Sequence, residues 1–87
     1  MAEVVVYTAM FCPYCTGARK LLRSRGIAFE EVDVTMNAGR RASMARMAGG
    51  RHTVPQIFID GEAVGGYDEL VQLERSGELA ARLGDRA

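Results

Sequence analysis

The spacing of hydrophobic and polar residues divides the first third of the chain into a strand, a helix and a second strand. The first apolar run, EVVVYT from Glu3 to Thr8, is β-branched nearly throughout and predicts a strand covered on both faces. From Pro13 onward, apolar residues recur at helical spacing as far as Gly26, which suits a C-terminal cap. The segment IAFEEVDV, residues 27–34, predicts the second strand. A strand, a helix and a strand of these lengths imply a right-handed parallel crossover.

A second helix follows, and its ends have clear signals. Asn37 is suited to cap it, and the helical pattern continues to about Ala48 before two glycines end it. Met44 and Met47 are expected on its buried side.

The rest of the chain predicts a hairpin and a last helix. The apolar runs 56–59 and 62–65 flank Asp60-Gly61, a strong hairpin signal. The last helix starts near Asp68 and breaks at Gly77, after which ELAARL adds another turn or two. The predicted order is β-α-β-α-β-β-α, without repeats or linkers.

Length and composition favour one compact domain that spans residues 1–87. The chain has 87 residues, of which 48% are hydrophobic and 25% charged, and it is short for two cores. Eleven basic and eleven acidic side chains give a formal net charge of zero, so we expect neither nucleic acid nor a membrane surface as a partner. The start, MAEVVVYTAM, lacks the features of a signal peptide or a membrane span, which favours a cytoplasmic protein.

Both cysteines lie in one short segment, FCPYC. A disulfide between Cys12 and Cys15 would close a very short loop and constrain little of the unfolded chain, so a stapling role is disfavoured. In a reducing compartment, a close pair is more often catalytic or metal-binding. A structural zinc site generally needs four ligands, yet outside the pair the chain offers no cysteine and only His52. We therefore favour a redox pair over a zinc site and over two inert buried thiols, and we expect no metal.

The two cysteines occupy different positions relative to the predicted helix. Cys12 precedes the helix, so unpaired backbone amides and the positive end of the helix dipole favour its thiolate. Cys15 lies one turn inside and experiences less of both effects. Cys12 is therefore the expected nucleophile, and Cys15 is expected to resolve a mixed disulfide by intramolecular attack.

Three motifs together resemble those of the glutaredoxins: CPYC after a strand, TVPQIFI at residues 53–59 and GGYDEL at residues 65–70. Their order and spacing match the family across nearly the whole chain. Thioredoxins share the fold but typically have a tryptophan before a CGPC-type pair, and this chain has no tryptophan. The resemblance implies the α/β class and a thioredoxin-like fold, a four-stranded mixed sheet flanked by helices.

The resemblance also implies a function. It indicates a glutathione-dependent thiol–disulfide oxidoreductase that reduces protein disulfides and glutathione mixed disulfides through its CPYC dithiol. The expected partners are glutathione and proteins that carry disulfides or glutathionylated cysteines, and the expected state is a monomer. The alternative is a dimeric carrier of a [2Fe–2S] cluster, held by one cysteine per chain and two glutathiones. The Pro13-Tyr14 pair between the cysteines resembles the redox-active members more.

A glutathione site needs amides or guanidinium groups for two carboxylates, an acidic partner for one ammonium and an exposed backbone edge. The resemblance implies that Pro55 is cis and that Val54 pairs with glutathione like an added strand, whereas the sequence alone favours a trans bond, since about 5% of X–Pro bonds are cis. Amides of Gly65-Gly66 and the next helix could bind the γ-glutamyl carboxylate. Asp68 could meet the ammonium and also cap the helix.

Arg41 matches the family position that reaches the glycine carboxylate of glutathione, with Arg40 as its fallback. A surface arginine is otherwise simply solvated. The methionines and three aromatic residues, Tyr7, Phe29 and Phe58, are expected in the core or in groove walls. The predicted glutathione site comprises Tyr14, Arg41, Thr53, Val54, Pro55, Gly66, Tyr67 and Asp68.

The chain departs from the glutaredoxin pattern at one position. Glutaredoxins commonly have a lysine three residues before the first cysteine, and this chain has Ala9. A cation that would stabilise the thiolate and attract a glutathione carboxylate is therefore missing there, and Arg19 and Lys20 on the first helix are candidates to compensate in part.

Overall fold

The computed structural model describes residues 2–84; Met1 and residues 85–87, which the predicted domain includes, lie outside the described residues. The four strands are β1 (Val4–Thr8), β2 (Glu30–Asp33), β3 (Gln56–Ile59) and β4 (Glu62–Gly65). The helices are α1 (Pro13–Ser24), α2 (Ala38–Met47), α3 (Tyr67–Ser76) and α4 (Glu78–Arg82). The predicted order is confirmed, with α4 formed by the predicted extra turn. Across residues 2–84, no helix has both the length and the apolar composition needed to cross a membrane.

The strands form one mixed sheet in the order β2-β1-β3-β4. Strands β1 and β2 are parallel, as predicted, whereas β1 with β3 and β3 with β4 are antiparallel. The carboxyl ends of β1 and β2 therefore meet the amino end of β3 at one edge of the sheet. Cys12 follows β1 at that edge, between the ends of β2 and β3.

Apolar side chains bury both faces of the sheet, because alternate residues of a strand point to opposite sides. One cluster, here called the large cluster, includes Leu22 of α1 and lies on one face; its buried members are Val4, Val6, Ala18, Leu22, Ile57, Ile59, Leu70 and Leu79. On the other face the small cluster consists of Met44, Ala48 and Phe58, with Tyr7 and Val54 packed against it. Helix α2 is thus held by fewer buried side chains than α1.

Three details of the predicted elements are wrong. Strand β2 begins at Glu30 instead of Ile27, because the amide of Ile27 donates to the carbonyl of Leu22, 2.9 Å away, and so closes the end of α1. Met47 is 48% exposed, because α2 ends at this residue and Met44 one turn earlier fills the buried position. Asp68 does not cap α3, because the helix starts at Tyr67 and Gly66 is its N-cap.

Candidate active site

The loop after β1 places Cys12 at the N-cap of α1. Its backbone is extended, with φ −114° and ψ 104°, and Pro13 occupies the first helical turn, where its missing N–H leaves no bond unmade. The Sγ atom of Cys12 accepts a hydrogen bond from the amide of Cys15 at 3.2 Å. The sulfur thus takes the place of the oxygen that usually caps a helix, at the positive end of the helix dipole.

Cys15 is fully buried one turn inside α1, whereas Cys12 is partly exposed, and both are free thiols. Burial raises the pKa of Cys15 to about 12, and the hydrogen bond and charge of Cys12 act in the same direction. A backbone hydrogen bond from Ala9 and the charge of Arg19 offset part of this effect. The buried thiol therefore keeps its proton in the reduced protein while Cys12 presents its sulfur.

A second segment reaches the sulfur from the amino end of β3. The carbonyl oxygen of Val54 lies 3.7 Å from the Sγ of Cys12, and the Val54–Pro55 bond is cis. The resemblance implied this cis bond, and the sequence alone disfavoured it. Thr53 is exposed and Val54 is half-buried just before the strand begins at Gln56. An accessible segment, residues 53–54, therefore lies next to the Cys12 sulfur.

A groove of about 150 Å³ lies between this segment and the start of α3. The rings of Tyr14 and Tyr67 stand 6.1 Å apart between centroids, tilted by 38°, in its wall. The structure brings together seven of the eight predicted glutathione-site residues in the lining: Tyr14, Thr53, Val54, Pro55, Gly66, Tyr67 and Asp68.

Arg41 is the predicted residue that does not line the groove. Its Nη1 atom donates to the carbonyl of His52 at 3.3 Å, which ties α2 to the loop before the cis bond. Arg40, the fallback, donates from Nη1 to the carbonyl of Asp33 at 3.1 Å. A contact between Arg41 and glutathione therefore stays a prediction.

Two groove residues were not predicted from the sequence, Arg51 and Glu69. The Oε1 atom of Glu69 accepts a hydrogen bond from the Gly66 amide at 2.7 Å and lies 3.6 Å from the Nη1 of Arg51. The hydrogen bond from the Gly66 amide is the largest cause that holds the pKa of Glu69 below its usual range, and the backbone amide of Glu69 and the charge of Arg51 act in the same direction. The spacing of Gly66 and Glu69 is that of a capping box, a signal that could have identified Glu69.

Arg19, a candidate to compensate for the missing lysine, is paired with Glu31. Its Nε atom lies 3.2 Å from the Oε2 of Glu31, which also accepts from the hydroxyl of Thr8 at 2.8 Å. Its charge acts on the buried Cys15 instead.

Within residues 2–84, no group of three or more histidine, cysteine, aspartate or glutamate side chains is arranged to hold a metal ion. An iron–sulfur cluster held by one cysteine per chain would not need such a group, so that alternative stays a hypothesis with no specific contact in its favour.

Comparison with known proteins supports the family resemblance that the three sequence motifs indicate. The family model of glutaredoxin matches residues 4–64. Glutaredoxin 3 of Escherichia coli strain K12 is 47% identical over 79 residues, which cover 91% of this chain and 94% of that protein. The solution structure of glutaredoxin from Brucella melitensis superposes with a TM-score of 0.85 at 41% identity, and the match covers 100% of this chain and 94% of the other.

A buckwheat glutaredoxin–glutathione complex superposes with a TM-score of 0.83 at 26% identity, over 97% of this chain and 78% of the other. The four-stranded mixed sheet with its flanking helices agrees with these matches. This chain therefore belongs to the glutaredoxin family, with its thioredoxin-like fold and its role as a thiol–disulfide oxidoreductase.

Proposed function

We propose that this chain uses glutathione to reduce protein disulfides and glutathione mixed disulfides through Cys12 and Cys15. The observation that carries the proposal is the asymmetry of the pair: the Cys12 sulfur accepts the Cys15 amide at 3.2 Å, while burial raises the pKa of the Cys15 thiol to about 12. The accessible Cys12 sulfur at the helix N-cap is suited to attack the substrate first. The buried, protonated Cys15 is suited to react afterwards, with the mixed disulfide on Cys12.

The reaction consists of successive thiol–disulfide exchanges. The Cys12 thiolate attacks one sulfur of the substrate disulfide, the S–S bond breaks, and its electron pair leaves with the other sulfur, which takes up a proton. Cys15 then loses its proton and attacks the Cys12 sulfur, which releases the second substrate thiol and leaves a Cys12–Cys15 disulfide. Two glutathione thiols reduce this bond in turn and leave as one glutathione disulfide. A glutathione mixed disulfide needs only Cys12 and one further glutathione.

The timing of the Cys15 attack follows from what raises its pKa. Burial is the largest cause, and the hydrogen bond and charge of Cys12 add to it. Once Cys12 is bonded to a substrate sulfur, its negative charge is gone. The pKa of Cys15 then falls, because burial still raises it while the Ala9 hydrogen bond and the charge of Arg19 still lower it. The Cys15 thiol therefore ionises more readily once Cys12 carries a mixed disulfide.

The groove supplies groups that match glutathione. The Gly66 amide is already bound by Glu69, so the amides of Tyr67 and Asp68 at the start of α3 are the ones we assign to the γ-glutamyl carboxylate. The exposed Asp68 carboxylate would bind the ammonium, and the backbone of Val54 would pair with the cysteinyl residue. The glutathione complex of the buckwheat relative supports a site of this kind.

The remaining assignments are extensions of this proposal. Arg41 would bind the glycine carboxylate if it releases the His52 carbonyl. A glutathione-dependent dithiol requires a reducing compartment, so we place the protein in the cytoplasm, acting as a monomer on disulfide-containing or glutathionylated proteins.

Single cysteine variants test the proposal in a glutathione-coupled assay. Cys12→Ser should abolish turnover of every substrate, because no attacking thiolate remains. Cys15→Ser should retain reduction of a glutathione mixed disulfide and lose most reduction of a protein disulfide, since only the second reaction needs a resolving thiol. An equal loss in both variants on a glutathionylated peptide would contradict the assigned roles.

A further inference from the structure

Three large apolar side chains stand exposed beside the reactive cysteine. Phe11 is 95% exposed, Met36 is 100% exposed and Met10 is 59% exposed. The amide of Met10 donates to the hydroxyl oxygen of Thr35 at 2.8 Å, so the loop after β1 and the loop after β2 lie side by side. We call Met10, Phe11 and Met36 the apolar patch.

The backbone at two patch positions is unfavourable for the residues that occupy it. Phe11 has φ 57° and Met36 has φ 53°, both in the left-handed region where asparagine and glycine are favoured. Neither side chain is buried in the protein. Such outliers near a reactive group point to a functional role for the side chain itself.

The sheet order separates the apolar patch from the glutathione groove. Cys12 follows β1, the patch lies toward β2, and the groove lies toward β3 and α3. When the groove holds the glutathionyl group, Cys12 attacks the glutathionyl sulfur and the peptide thiol leaves from that sulfur, so the peptide chain cannot also occupy the groove. The apolar patch, which includes Phe11 directly before Cys12, is the exposed surface on the other side of Cys12.

We infer that the apolar patch docks the polypeptide half of the substrate, and that it selects a cysteine flanked by a large apolar side chain. This inference rests on the proposed function and specifies its protein substrates. Exposed apolar side chains on neighbouring loops beside a reactive residue form an interaction site, and burying Phe11 against an apolar neighbour removes both surfaces from water.

The inference can be tested with three substrates. Two are glutathionylated peptides that differ only in the residue next to the cysteine, leucine in one and serine in the other. The third is a small glutathione mixed disulfide. Phe11→Asn and Met36→Asn remove the apolar side chain and suit the left-handed backbone. Met47→Gln removes an exposed methionine outside the patch and serves as the matched control. The readout is kcat/KM for each substrate.

The wild type should prefer the leucine peptide about five- to tenfold, and Phe11→Asn should remove most of that preference. Turnover of the serine peptide and of the small disulfide should stay within about twofold, as should every rate of Met47→Gln. Equal losses on all three substrates, or no preference in the wild type, would overturn the docking role while leaving the proposed function intact.

Two further outcomes are decisive. A wild-type dimer in sedimentation analysis that Phe11→Asn dissociates would assign the patch to a second copy of this chain and overturn peptide docking. If the wild type turned over none of the three substrates, the proposed function itself would fail, and the docking role with it.

Discussion

Cys12 performs at the start of α1 the task that a serine or aspartate oxygen performs in most helices. Its sulfur accepts the amide of the third helical residue, Cys15, which is itself the second thiol. One local contact therefore joins a partly exposed sulfur to a buried thiol whose pKa is raised. The sequence allowed this to be predicted, because both residues and the helix start lie within one short segment.

The groove was only partly predictable, because its residues come from distant segments. Arg51 stands before the TVP motif and meets Glu69 of α3, 18 positions later, only because the chain folds back on itself. Neither periodicity nor composition indicates such a contact. Arg41, chosen from the resemblance, instead contacts the His52 carbonyl, a local bond that a sequence motif does not specify.

A substitution at Asp68 tests whether the groove binds glutathione as proposed. Asp68→Asn keeps the size of the side chain and removes the charge that we assign to the glutathione ammonium. The apparent KM for glutathione should rise about five- to tenfold with a much smaller change in kcat, because ground state and transition state are bound alike.

Asp60→Asn, on the hairpin turn away from the groove, is the matched control and should leave the KM unchanged. If folded Asp68→Asn had the KM of the wild type, Asp68 would not bind the glutathione ammonium and would be an ordinary exposed residue in the first turn of α3.

At the scale of elements, the start of α3 depends on a carboxylate that reaches back one turn. Glu69 accepts the Gly66 amide, and this bond, with the charge of Arg51, lowers the pKa of Glu69 from its ordinary 4.5. A carboxyl group whose pKa is lower in the folded state than in the unfolded state stabilises the fold at pH values above its ordinary pKa. That contribution is lost as the pH falls through the lowered value.

Glu69→Gln should therefore lower the free energy of unfolding by about 0.5 kcal/mol at pH 7, because glutamine keeps an acceptor for Gly66 but lacks the charge near the helix start. The difference from the wild type should shrink toward zero in strongly acidic buffer. Urea unfolding of both proteins from pH 7 down to pH 3 measures this difference in the free energy of unfolding. A difference that stays constant over this range would mean that the charge of Glu69 contributes nothing.

Element types were easier to predict than element ends. The hairpin strands were predicted with their observed bounds, 56–59 and 62–65, because the Asp60-Gly61 turn fixes them locally. Asp68 was assigned as the cap because aspartate is a good capping residue. Gly66 holds that position because Glu69 can bind its amide from inside the helix, a choice that single-residue preferences do not reveal.

At the scale of the whole molecule, the sheet separates two clusters of unequal size, and the reactive site depends on the smaller one. Val54, whose carbonyl lies 3.7 Å from the Cys12 sulfur, packs against Met44 and Phe58. Helix α2 and the segment that forms one wall of the groove are therefore held by few buried side chains. Regions with few buried contacts open at a lower free energy than the rest of a fold.

Met44→Ala should cost about 2–4 kcal/mol by leaving a cavity in the small cluster, and Leu22→Ala should cost a similar amount in the large cluster. The two variants should nevertheless differ in amide hydrogen exchange. Met44→Ala should speed exchange first in α2 and in residues 49–55, whereas Leu22→Ala should speed it across α1 and the central strands.

Because Val54 lies in the segment loosened by Met44→Ala, that variant should also lose more glutathione affinity than Leu22→Ala at a temperature where both are folded. If both variants showed the same exchange pattern and the same affinity, the two clusters would open as one unit, and the small cluster would have no separate control over the groove.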